Sequence, residues 1–240
     1  MGSTPVPHKE FDPNAFVGGE GASQELCNFI LALSLAYNDF KYYILSFNGH
    51  IKSKPDGSPE RNAAWGEHNG VKFHLFRLHV GFAHELFKLI DENRKLLDDP
   101  SFREIVRVMS KRPRESWQLL VEAALADASK PRRANPLYMI RNKMIFHYDA
   151  KMLFSGYQAG FFKDGETLED ACVSEGNTLE ESRFYFADLA VDGCFRNELG
   201  QSKDEFLTTL RVIMGEINKA LFHIVIRFIQ GRGFGWRIPR

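Results

Sequence analysis

A chain of 240 residues with 44% apolar content is long enough to bury a substantial core, as one large domain or two small ones, and is ordinary for a soluble globular protein. Its 31 Lys plus Arg balance 31 Asp plus Glu. A zero net charge argues against a surface built globally for nucleic acid, so any such binding must rest on local basic patches.

Phe is frequent, at 21 residues, which predicts an aromatic-rich core. Three cysteines, Cys27, Cys172 and Cys194, are odd in number and far apart. They lack the pairing of a zinc site and suit a reducing compartment. With no charged-then-apolar leader and no apolar run of membrane length, the expected setting is cytoplasmic, with no membrane partner.

In chain order, residues 1–21 are rich in Pro and Gly and read as a flexible N-terminal arm. A helix is expected over 22–47, where Leu26, Ile30, Leu33, Tyr37, Phe40, Ile44 and Phe47 recur at helical spacing. Asn48-Gly49 reads as its stop. Residues 50–69 read as a polar loop, and a second long helix as 71–97, ended by Pro100. Ser101 and Glu104 suggest a capping box for a short helix to residue 110, followed by a helix over 115–128. Two basic loops bracket the latter: Lys111-Arg112-Pro113-Arg114 and Lys130-Pro131-Arg132-Arg133. They read either as solvated charges or as phosphate holders that position RNA without reading its sequence.

His74, His79 and His84 lie five apart, so each step turns the helix by roughly 140°. They cannot share one face, and core-edge histidines are the better reading than a metal site. His84-Glu85 lacks the second His of a zinc protease motif. No metal and no cofactor is expected. Residues 156–201 turn acidic and Gly-rich, which suggests a hairpin or irregular insertion and a poor RNA surface. The last helix, 202–231, shows an unbroken stripe from Phe206 to Phe228, a Ser202/Glu205 capping box and a Gly231 stop. The tail 232–240 mixes Gly, Arg and aromatic residues, a composition read as a docked or frayed end in preference to a single-strand RNA binder.

The stretch 135–154 concentrates the chemistry. Asn135 and Pro136 read as a helix start, and Leu137, Ile140, Met144 and Tyr148 as an apolar stripe. Arg141, Asn142, Lys143, His147 and Asp149 lie in the same segment and need partners if buried. Arg141 and His147 are separated by about 9 Å of rise and roughly a third of a turn, so one copy does not bring them together, whereas two copies across a two-fold axis can. Two other Arg/His pairs have similar spacing, Arg61 with His68 and Arg77 with His84. The first sits near Gly66 in a poor helix, and the second has Leu78 after its Arg.

The run Arg141-Asn142, Lys143-Met144-Ile145-Phe146, His147, continued by Tyr148-Asp149, resembles the HEPN family (higher eukaryotes and prokaryotes nucleotide-binding domains), in particular members from abortive-infection and toxin–antitoxin systems. Its signature is an Arg, usually followed by a polar residue, with a His several residues on. The resemblance implies a mainly α, up-and-down helical bundle spanning 22–155, with 202–231 packed on it, that dimerises through the motif helix. In active members it implies metal-independent endoribonuclease chemistry. Arg141, Asn142 and His147 are then the catalytic candidates, and Lys143, Tyr148 and Asp149 their support. Lys111, Arg112, Arg114, Lys130, Arg132 and Arg133 are candidates for holding RNA phosphates. A toxin or antiphage role implies a neutralising protein partner. Two other readings stay open: a non-catalytic HEPN-like scaffold, partner-binding or nucleotide-binding module, and an unrelated helical protein with an accidental motif.

Overall fold

Ser23 starts the first long helix by accepting the Leu26 N–H at 3.1 Å. The computed structural model of the chain describes residues 9–57, 63–129, 149–168, 170–175, 177–178, 182–199 and 203–233. Helix α1 (Gln24–Lys52) buries Leu26, Ile30, Leu33 and Phe40 on one face, as their spacing predicts. It does not stop at Asn48-Gly49. A glycine inside a helix costs only about 1 kcal/mol, and tertiary contact holds the last turn: the His50 ring stacks on His68 at 4.2 Å, with His50 Nε2 2.7 Å from the His68 carbonyl oxygen.

Helix α2 (Ala63–Glu92) begins within the expected loop and includes Gly66 and His68. Its small residues let other groups lie against the helix. A Cβ on Gly66 would overlap the Tyr185 ring, and one on Gly70 would overlap the Arg183 guanidinium. The end of α2 passes into a 3-10 turn, Arg94–Asp98. Pro100 then opens α3 (Pro100–Arg107) as its first residue. Asp99, not the Ser101/Glu104 box, caps α3, accepting the N–H groups of Ser101 at 2.8 Å and Phe102 at 3.2 Å. Helix α4 (Lys111–Ala128) absorbs the first expected basic loop, because a proline in the first helical turn gives up no intrahelical bond.

After residues 130–148, which lie outside the described residues, come α5 (Ala150–Phe161), α6 (Tyr185–Leu199) and α7 (Lys203–Gly231). Helices α1, α2, α4 and α7 form a closed ring, α1 against α2 and α7, and α4 against the same two. Phe40 meets Phe82 while His50 meets His68, so α1 and α2 run antiparallel. The fold is a mainly α, up-and-down bundle. Its core is aromatic-rich, as in the Phe29–Phe102–Trp117 chain with centroids 5.8 and 5.6 Å apart.

The region read as an insertion contains both short strands and a helix. Strands β1 (Phe162–Lys163) and β2 (Glu166–Thr167) pair antiparallel through Asp164-Gly165, both at positive φ, 52° and 85°. Strands β3 (Val173–Ser174) and β4 (Arg183–Phe184) form a second small ladder. The latter half of this region, expected as hairpin or irregular chain, continues as α6, because Ala190, Val191, Cys194 and Phe195 fall on one buried helical face. Helix α6 packs chiefly on α5. The backbones nearly touch there: a Cβ on Gly193 would overlap the Gly156 carbonyl, and one on Gly156 would overlap Ala190 and Cys194.

Residues 9–21, expected to belong to a loose arm, are docked. Arg232 donates to the carbonyls of Ala15 at 3.3 Å, Val17 at 2.9 Å and Glu20. Phe16 rests on Phe228 at 5.2 Å. Among the described residues no helix is long and apolar enough to cross a membrane.

Candidate functional site

Arg141, Asn142, Lys143, His147 and Tyr148 lie outside the described residues, as do Lys130, Arg132 and Arg133. Asp149 is described, and it changes the geometry of the motif's end. It is extended (φ −72°, ψ 99°), and its carboxylate accepts the Met152 N–H at 3.1 Å, so it is the N-cap of α5. The single helix expected over 135–154 therefore does not run through Asp149, which stands outside α5 as its cap. The reason is local: an Asp side chain that bonds the backbone three residues on favours a cap over a helix interior.

Of the candidate phosphate ligands, Lys111, Arg112 and Arg114 form the exposed first turn of α4 and not a loop. Lys111 Nζ lies 3.8 Å from Glu115, an exposed pair worth little. Arg114 donates to the Arg107 carbonyl at 3.4 Å. Beneath them the buried Ser116 hydroxyl donates to the Glu216 carboxylate, which also accepts from Lys219 Nζ at 2.9 Å. Those two hydrogen bonds, then the charges of Lys219 and Arg112, hold the Glu216 carboxyl below its usual range against the opposing effect of burial. Three cations at a helix N-terminus oppose the helix dipole, and an anion bound there would relieve both.

A second constellation had no signature in the sequence. Arg183, from β4, reaches across to Glu67 of α2 at 3.4 Å and to Asp188 of α6, in the space left by the missing side chain of Gly70. Its guanidinium lies 5.8 Å from the Tyr185 ring centroid. Beside it opens a cavity of about 350 Å³, walled by Phe73, Phe161 and Phe186 and edged by Asp170, Asp188 and Asp192. Carboxylates around an aromatic floor repel phosphate, so this cavity is unsuited to an RNA backbone.

The three spaced histidines are spread as their rotation predicts. His79 is buried between Phe40 and Tyr43, with centroids at 6.2 and 4.4 Å, and His74 is exposed. Burial pushes the His79 imidazole down to about 3. His68 is also lowered, first by burial and then by the charges of His50, Lys72 and Lys54. Among the described residues no group of three or more His, Cys, Asp or Glu is placed to hold a metal ion. No protein-family model, curated protein or solved structure matches this chain.

Proposed function

We propose that the chain is a HEPN-like endoribonuclease acting as a dimer, in a toxin or antiphage setting, that cleaves RNA by attack of the 2′-hydroxyl on the adjacent phosphate. The observation that carries the reading is the Arg141-Asn142 and His147 spacing on a helical-bundle chain. In this scheme His147 serves as general base or acid, since an imidazole with an ordinary pKa near 6.5 can do either at neutral pH. Arg141 stabilises the charge that builds on the phosphate. Asn142 orients the phosphate or Arg141. The exposed cations of α4's first turn support the reading by offering a place for neighbouring phosphates. Phe154, 60% exposed on α5 five residues after its capping Asp149, supports a dimer by leaving apolar surface next to the motif.

A non-catalytic HEPN-like scaffold is favoured by one observation, the absence of net charge. Cleavage of a single-stranded RNA by wild type, Arg141→Ala and His147→Ala separates the two. The nuclease reading expects each substitution to slow cleavage by about 100-fold or more, with thermal stability largely kept. Equal rates in all three proteins would leave the scaffold.

A further inference from the structure

Helix α1 carries two stripes, and the core uses only one. On the outer face Asn28, Leu31, Leu35, Asn38, Tyr42 and Leu45 follow one another by threes and fours, and all six are exposed. Leu31 is 46% exposed, Leu35 63%, Tyr42 61% and Leu45 58%. A sustained 3-4 repeat is the pattern of a helix that pairs with another helix along a seam, because it keeps one edge facing the partner over many turns. We infer that this seam docks a second copy of the chain, α1 alongside α1 in parallel.

Three features select that occupant. The seam from Asn28 to Leu45 holds no charged side chain at its repeat positions, so apposing it to itself buries no charge. Asn38 lies in its middle. In a parallel pair it meets its own twin, amide to amide, whereas an apolar groove of another protein would leave that amide unsatisfied. The flanks carry Asp39 towards α2 and Lys41 on the opposite edge. Parallel pairing sets Asp39 against the partner's Ser34 and Lys41 against the partner's Ser46. Antiparallel pairing about the same point sets like charges together, which disfavours it.

The contact is about 25 Å long and one helix wide. Phe222, 45% exposed and 5.7 Å from Tyr37, widens it on the α7 side. An interface of this extent is at the small end of the specific range, which places association in the micromolar regime. The inference does not rest on the ribonuclease reading, whose dimer runs through the segment at 135–154.

The test is sedimentation equilibrium of the full chain across concentration. Wild type is expected to self-associate reversibly through this seam, and the pair Leu35→Lys with Leu45→Lys to weaken that one association step by at least about 100-fold through like-charge apposition, leaving any contact through 135–154 unchanged. Both positions are exposed, so the melting curve should hold. A second measurement covers the case in which that variant folds poorly: Asn38→Cys, in a background where exposed Cys172 is changed to Ser, should form a reducible intermolecular disulfide under mild oxidation. A wild type that stays monomeric to about 100 µM, a dimer indifferent to the double substitution, or no cross-link at position 38 would each overturn the proposal.

Discussion

His79 illustrates how a residue's setting can matter more than its type. On a helix wheel it is one of three scattered histidines; in the fold it is sealed between Phe40 and Tyr43 and held neutral, its pKa pushed down to about 3 by burial. The unfolded chain takes up a proton near pH 6.5 and the folded chain does not. Above pH 6.5 His79 therefore contributes no pH dependence, and stability falls as pH drops from 6.5 towards 3. Between pH 6.5 and 4.5 the loss should reach roughly 2 kcal/mol. Urea titrations at both values measure it, and His79→Leu should remove most of that difference. Arg183 shows the limit of a sequence reading at this scale. Its partners Glu67 and Gly70 lie on another element more than a hundred positions away, and nothing near Arg183 in the chain announces them.

Helix interiors follow from periodicity, and helix ends follow from capping chemistry and tertiary contact. The stripe of α1 was legible, but its extension past Gly49 depends on the His50–His68 stack with a different helix. Asp99-Pro100 is both an end and a beginning: Pro100 suits a first helical turn, and the carboxylate before it is the actual cap. Asp164-Gly165 is a sequence-level hairpin signal, since both residues tolerate positive φ. The α5–α6 contact is a different matter, because three small residues along two segments reveal closeness only when the segments meet. Gly193→Ala should force the two backbones apart and cost about 2 kcal/mol in chemical denaturation, in the range of overpacking a filled contact. A change below about 0.5 kcal/mol would show that the pair can slide apart freely.

Over the whole molecule the described ends are tied together. Arg232, one residue beyond α7, holds the carbonyls of Ala15, Val17 and Glu20, and Phe16 packs against Phe228. Arg232→Ala should cost about 2 kcal/mol, because charge-assisted hydrogen bonds to backbone carbonyls are lost. Amide exchange around residues 15–20 should rise well before the rest of the bundle responds. Exchange that rises evenly across all helices would show instead that the clamp is part of the global unfolding unit.

By itself the chain determined a helical bundle, because long apolar stripes at helical period can be buried only by packing on one another, and it displayed the Arg141/His147 pattern because that pattern is local. The fold decided what depends on distant neighbours: a terminal segment held by Arg232, an acidic helix α6 locked onto α5, and an arginine seated on a glycine of another helix. It also left the second stripe of α1 uncovered. Periodicity marks a face as able to be buried, while only the arrangement of the other helices determines which face is covered and which is left to meet a partner.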